Sequence, residues 1–127
     1  MPRAAERLDN GNTLVALYSQ NQIVELNPAG KVVWTVSNMN SPMTVQRLGD
    51  GHTLVCQYAA RRIVELDAAG KIVWSQQWEA PLYHAQRLEN GHTLVADNVG
   101  WKEIDGRGHV VQQKAEAGIR AIHRNKE

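Results

Sequence analysis

Residues 47–86, RLGDGHTLVCQYAARRIVELDAAGKIVWSQQWEAPLYHAQ, decide the fold, because a close copy of this stretch precedes it and a diverged copy follows it. An Arg-Leu pair opens each copy at residues 7–8, 47–48 and 87–88, so the period is about forty residues. A repeat of this length is one supersecondary unit, which buries its apolar faces only by packing on its neighbours. The sequence therefore predicts a row of similar units.

Each copy continues with a turn dipeptide and an apolar run. Asn-Gly stands at residues 10–11 and 90–91, Asp-Gly stands at residues 50–51, and Thr-Leu-Val follows two residues after each. These dipeptides between alternating apolar runs are the strongest short hairpin signal, because the tight turn that matches strand twist needs positive φ at its centre. We therefore predict a tight hairpin in every copy.

Two further strands complete the unit. Ile-Val-Glu-Leu at residues 23–26 and 63–66, and Lys-Glu-Ile at 102–104, alternate as strands do, and a glycine turn then leads to a fourth strand in each copy. No span has room for a crossover helix, so each unit is predicted to be a four-stranded antiparallel meander. Radial stacking of such meanders gives a β-propeller.

This interpretation makes the chain an all-β protein with a single domain, residues 1–127. It contains three propeller blades at about residues 2–40, 41–80 and 81–117, followed by a C-terminal strand or helix. Two other folds stay open at this point. A β-trefoil also has three units of about four strands, and a β-prism of the bulb-lectin type also repeats.

The phrases NGNTLV at residues 10–15 and IVELNPAGKVVW at residues 23–34 resemble the blade signature of PQQ-like and arylsulfotransferase-type β-propellers. The second copy fits about as well, and the similarity covers nearly the whole chain. The resemblance implies a closed ring of six or more blades, whereas this sequence holds three. We therefore expect two chains to complete a six-bladed ring as a homodimer, and a fragment of a longer propeller is the alternative.

Composition limits the partners. A formal net charge of +1 and a pI near 8.0 favour neither nucleic acid nor an anionic membrane surface. The single Cys56 cannot form an intrachain disulfide, and residues 1–15 lack the apolar core of a signal peptide. The chain as given is predicted to be cytoplasmic, and its location is unknown if it belongs to a longer secreted protein.

Binding residues are expected on the longer, varied loops and where the innermost strands open on the central channel. In propellers of this type the innermost strand is the one that follows the return between blades. The candidate ligand-binding residues are Thr44, Arg61, Arg62, Trp78, Tyr83, His84 and Arg120. No metal site or cofactor is predicted, since no cluster has the spacing of metal ligands.

His84 is the one candidate for chemistry. The resemblance to arylsulfotransferase-type rings implies histidines near the channel that act on an aryl sulfate, and only His84 matches, with Thr44 at the same place in the preceding copy. The rest of that catalytic set is not recognisable, so no catalytic residue is predicted.

The preferred function is a binding module for a small molecule or a protein. The alternatives are a sulfotransferase-like enzyme or hydrolase with a channel site, and a lectin on a trefoil or prism.

Other repeated residues have structural explanations. Trp34 and Trp74 occupy equivalent positions in the fourth strands, where a large side chain can bury area between blades. Glu25, Glu65 and Glu103 recur in the third strands, and we expect them to pair with Lys or Arg across neighbouring strands.

Overall fold

Three separate four-stranded antiparallel sheets make up the part of the chain that the computed structural model describes, residues 2–115. Strand order follows chain order within each sheet, so each sheet is a meander. This confirms the prediction of an all-β fold built from propeller blades, and the trefoil and prism alternatives are wrong for these residues. The predicted C-terminal strand or helix lies outside the described residues.

The strand bounds place one repeat in each sheet. Blade 1 contains β1 (Pro2–Arg7), β2 (Thr13–Leu17), β3 (Gln22–Leu26) and β4 (Val32–Val36), with a short 3-10 turn at Tyr18–Gln20. Blade 2 contains β5 (Pro42–Arg47), β6 (Thr53–Gln57), β7 (Arg62–Leu66) and β8 (Ile72–Gln77). Blade 3 contains β9 (Leu82–Arg87), β10 (Thr93–Asp97), β11 (Gly100–Ile104) and β12 (Val110–Ala115). No helix within the described residues is long and apolar enough to cross a bilayer.

The hairpin turns differ in detail from the predicted form. The Gly11 N–H donates to the Leu8 carbonyl at 3.0 Å, and the Leu8 N–H donates to the Asn12 carbonyl at 2.8 Å. Positive φ falls on Gly11, at +90°, and not on the two residues at the centre of the turn. A type I turn followed by one left-handed residue connects strands in this way, and it needs only one glycine.

Two buried clusters hold the three sheets together. The cluster between blades 1 and 2 consists of Ala16, Ile23, Met39, Val55, Val64 and Leu66. The cluster between blades 2 and 3 consists of Met43, Leu54, Cys56, Ile63, Leu82, Ala85, Val95 and Ile104. Side chains of one strand alternate between the two faces of its sheet. For this reason Val55 packs towards blade 1 while its neighbours Leu54 and Cys56 pack towards blade 3.

The blades meet along their first strands and separate towards their fourth. β1 lies beside β5 and β5 lies beside β9, whereas Val33, Val73 and Val111 of the fourth strands are 52%, 49% and 47% exposed. Connections alternate between two rims of this fan. The turns that join the first to the second and the third to the fourth strands form one rim, here called the turn rim. The other connections, including the returns between blades, form the loop rim.

Candidate functional site

The turn rim carries a polar cluster that is repeated at both blade boundaries. Arg47, the last residue of β5, donates from Nη2 to Glu25 Oε1 of blade 1 at 3.0 Å and lies 5.2 Å above the Trp34 ring. Its Nε donates to Thr53 of its own blade at 3.1 Å. The second boundary repeats these contacts with Arg87, Glu65, Trp74 and Thr93.

The carboxylates of the third strands therefore pair between blades. We expected Glu25 and Glu65 to pair with Lys or Arg across neighbouring strands. Each does pair with an arginine, but that arginine lies on the first strand of the next blade. The predicted packing of tryptophan between blades is confirmed for Trp34, whose Nε1 donates to the Ala68 carbonyl of blade 2 at 3.0 Å. These residues hold neighbouring blades together, so the polar side chains of the turn rim are explained by contacts between blades.

The second oxygen of each carboxylate is held within its own blade. Asn12 Nδ2 donates to Glu25 Oε2 at 2.7 Å, and His52 Nδ1 lies 2.6 Å from Glu65 Oε2. The hydrogen bond with Glu65 raises the pKa of His52 despite partial desolvation. Ligand atoms of Asp50, His52 and Glu65 lie within 4.8 Å of one another. Because the amide of Asn12 makes the same bond in blade 1, this cluster is explained as a structural link.

The loop rim carries a row of three tyrosines, one from each blade. The Tyr58 ring lies 6.4 Å from the Tyr18 ring and 5.3 Å from the Tyr83 ring, the second pair in an edge-to-face arrangement. Tyr83 is 41% exposed, and the other two are half-buried. A hydrogen bond with Tyr58 raises the pKa of Tyr83. The row therefore presents aromatic faces and phenol hydroxyls beside the ends of the innermost strands.

Backbone hydrogen bonds fix the loops that carry this row. The Ser41 N–H donates to Asn21 Oδ1 at 2.9 Å, and the Ser41 carbonyl accepts from Tyr58 N–H at 2.9 Å. Tyr58 in turn accepts at its carbonyl from Leu82 N–H at 3.4 Å, which connects blade 2 to blade 3. Asn21 and Ser41 adopt left-handed φ values of 55° and 46°. Strained backbone of this kind persists where surrounding contacts determine it, and it is frequent at ligand sites.

Trp78 belongs to a second group, placed between β8 and β11. Its Nε1 donates to Asp97 Oδ2 at 3.0 Å, and Lys102 Nζ lies 5.5 Å from its ring centroid. Burial raises the pKa of Asp97, but hydrogen bonds from Trp78 and from the Val99 backbone lower it on balance. An open groove of about 380 Å³ runs beside this group. Its lining comprises Gln77, Trp78, Glu79, Lys102, Gly108 and Val110.

The two predicted loop arginines have different surroundings. Arg61 is exposed, has a left-handed φ of 55°, and donates from Nη1 to the Glu79 carbonyl at 3.4 Å. The Arg61 carbonyl accepts from Trp78 N–H at 2.7 Å, so these two candidates are joined through the backbone. Arg62 donates from Nε to the buried Gln57 at 3.1 Å, which holds its guanidinium against β6.

The remaining candidates lie on the first strands. Thr44 stands opposite Cys56 and hydrogen bonds to its buried thiol. His84 stands opposite Ala96 and is half-buried. Arg120 lies outside the described residues. Both Thr44 and His84 are therefore on innermost strands, as the sequence predicts.

The candidates within the described residues do not all meet at one place. The structure brings Tyr83 to the tyrosine row and Arg61 to Trp78. The Arg61 N–H donates to the Tyr58 carbonyl at 3.3 Å, which joins these two groups through the backbone. Four residues of the two groups are not among the candidates predicted from the sequence: Tyr18, Tyr58, Asp97 and Lys102. A signal existed for the two tyrosines, because they stand at equivalent positions of the first two copies.

Comparison with solved structures places this arrangement among propellers. A protein of unknown function from Bacteroides caccae superposes with a TM-score of 0.71 at 22% identity, over 90% of this chain and 46% of its own. Virginiamycin B lyase from Staphylococcus aureus gives 0.72 at 19% identity, over 91% and 41%. BamB from Moraxella catarrhalis gives 0.66 at 17% identity, over 91% and 37%.

These similarities show the fold alone. The lyase and BamB are β-propeller-type proteins, and the present chain spans less than half the length of each of the three. No protein-family model and no curated protein matches the sequence. The propeller architecture is therefore established without its subtype, and the PQQ-like or arylsulfotransferase-type assignment stays a prediction.

Proposed function

We propose that this chain is a ligand-binding propeller module whose recognition surface is the tyrosine row on the loop rim. The observation that carries the proposal is the contact of Tyr18, Tyr58 and Tyr83, one residue from each blade, beside the ends of the innermost strands. Tyr18 and Tyr58 also pack against the buried cluster between blades 2 and 3, whereas Tyr83 is 41% exposed and extends the row to the surface. Loops on a rigid scaffold are the usual place for binding residues.

The chemistry of the row defines the ligand class. Tyrosine offers a large apolar face together with a hydroxyl that donates and accepts, and it loses little conformational entropy on binding. The edge-to-face arrangement of Tyr58 and Tyr83 leaves ring area of Tyr83 exposed. A ligand with a flat aromatic or apolar face and polar groups at its edge fits this surface. The left-handed backbone at Asn21 and Ser41 supports a preorganised site.

Catalysis has less support from the described residues. His84 lies on an innermost strand opposite Ala96, whereas the row of ring contacts joins Tyr18, Tyr58 and Tyr83. Propeller structures similar to this chain include a lyase and also BamB, so the fold is compatible with an enzyme and with a binding module. The tyrosine row therefore favours binding over catalysis.

An NMR titration with defined probes tests the proposal. Indole and p-nitrophenol represent aromatic ligands, and methyl β-glucoside represents a sugar. We expect an aromatic probe to shift the ring signals of Tyr58 and Tyr83, and the Tyr83→Ala variant to weaken its binding by at least about tenfold. Val99→Ala is the matched control, since Val99 is an exposed apolar residue of the same rim, 57% accessible, outside the row.

Three results would contradict the proposal. The tyrosine signals would stay in place with every probe, or Val99→Ala would weaken binding as much as Tyr83→Ala, or the wild type would hydrolyse p-nitrophenyl sulfate. In the third case, loss of turnover in His84→Ala would assign the chemistry to the innermost strand and support the enzyme alternative.

A further inference from the structure

Both blade boundaries inside the chain are built from the same set of polar contacts. A glutamate of the third strand accepts a hydrogen bond from the arginine that ends the first strand of the following blade. The distance is 3.0 Å for Glu25 with Arg47 and 3.2 Å for Glu65 with Arg87. Each of these arginines also bonds the threonine that begins its own second strand. The boundary thus has a carboxylate side and an arginine side.

A second contact recurs beside the first. Glu6 Oε1 accepts from the Arg47 backbone N–H at 2.9 Å. At the next boundary Gln46 accepts from the Arg87 N–H at 2.7 Å and donates to the Arg87 carbonyl at 3.3 Å. The residue before the last arginine of the first strand, Glu6 in blade 1 and Gln46 in blade 2, therefore reaches across to the backbone of the following blade.

The two outer faces of the three-blade unit carry the unmatched halves of this scheme. On blade 1, Arg7 is exposed and bonds Thr13 at 3.1 Å in the same way, but it has no carboxylate partner among the described residues. On blade 3, Gln86 is exposed and has no hydrogen bond to the described residues outside its strand pairing. The pKa of Glu103 is lowered, first by its hydrogen bond with His92. Glu103 Oε1 accepts a hydrogen bond from the side-chain amide of Gln112 at 3.3 Å, whereas the same oxygen of Glu25 and Glu65 accepts from an arginine of the next blade.

We propose that the partner for these faces is a second copy of this chain. Arg7 of blade 1 occupies the same position as Arg47 and Arg87, which form the boundaries inside the chain. Blade 3 carries the matching partners, Glu103 and Gln86. In the assembly Arg7 of each copy contacts Glu103 of the other, and Gln86 bonds the backbone beside that Arg7. Two copies joined head to tail in this way form a closed six-bladed ring, within the usual range of four to eight blades.

Charge reversal tests this pairing directly. The wild type is expected to have twice the 14.2 kDa mass of one chain in sedimentation equilibrium. Arg7→Glu alone and Glu103→Arg alone each place like charges at both junctions, so each should weaken association by at least about tenfold. Mixing the two variants should restore the dimer, because one junction then has the exchanged charges and the other has the original pair.

A matched control separates the junction from general charge effects. Arg107→Glu makes the same charge change at an exposed residue of the glycine turn before β12. This turn contacts blade 2, because the Gly106 carbonyl accepts from Trp74 Nε1 at 3.2 Å, so the variant should leave the mass unchanged. Circular dichroism of each variant checks that the blades still fold. A wild-type mass of one chain at about 100 μM would overturn the proposal, because the outer faces would then need further blades of a longer polypeptide or another protein. A dimer that survives both reversals would overturn it as well.

Discussion

The guanidinium of Arg47 lies 3.0 Å from the carboxylate of Glu25 and joins the end of the innermost strand of one blade to the third strand of the blade before it. Both side chains are largely buried, at 24% and 10% exposed. We expect Arg47→Ala to lower the free energy of unfolding by about 1–3 kcal/mol, because Glu25 then loses a charged hydrogen-bond partner.

Urea denaturation of a double-mutant cycle with Glu25→Gln measures this pair separately from the packing of Arg47 on Trp34. The coupling between Arg47→Ala and Glu25→Gln should reach at least about 0.5 kcal/mol. Strictly additive losses would show that the two side chains do not stabilise the blade boundary through each other.

The bond between His52 and Glu65 makes stability depend on pH. The pKa of His52 is raised above its ordinary 6.5 in the folded chain, first by this hydrogen bond. The stabilisation is therefore complete below the unfolded pKa and is lost as pH rises through the higher folded pKa. We expect the melting temperature to fall as pH rises from about 6 to about 8.

His52→Asn is the variant that isolates this effect, since Asn12 makes the same bond to Glu25 in blade 1 without a titrating group. The variant should fold and should show a smaller fall in melting temperature over this pH range than the wild type. Identical pH profiles for variant and wild type would assign the dependence to other histidines.

Gly30 and Gly70 have the same backbone conformation but different surroundings, so alanine substitutions there distinguish backbone strain from a steric clash. Gly30 and Gly70 have φ values of +83° and +87°, but a Cβ on Gly70 would lie 2.9 Å from Val36 Cγ2, whereas no described atom lies within 4 Å at Gly30. Gly30→Ala should cost about 1–2 kcal/mol in unfolding free energy from its left-handed φ. Gly70→Ala should cost more by about 1 kcal/mol or above, as measured in urea. Equal losses would mean that Val36 moves aside freely.

The reactivity of Cys56 measures how often blades 2 and 3 separate, because this residue lies in the buried cluster between them. Its side chain is fully buried, and burial raises the pKa of its thiol to about 12. The reaction of the native chain with a thiol reagent near neutral pH should be at least about a thousandfold slower than in denaturant. Rapid modification of a chain that is otherwise folded would show that this boundary opens locally.

The repeat explains how much of the fold the sequence predicts. Turn glycines and alternating apolar residues act locally, so the strands and the blade packing of Trp34 follow from the pattern. Tyr83 has no counterpart in the other copies at its position, so its contact with Tyr58 depends on how blade 3 is set against blade 2. The same reason hides the pairing of Glu25 with Arg47, whose residues are close only after two sheets stack.

The tyrosine row also has a consequence for stoichiometry. Tyr18 and Tyr58 occupy equivalent places in their repeats, but the corresponding position of blade 3 is Asn98, and the third ring comes instead from Tyr83 on the first strand. The framework repeats three times, whereas the aromatic surface occurs once. A ligand that recognises this row is therefore bound once per polypeptide and not once per blade.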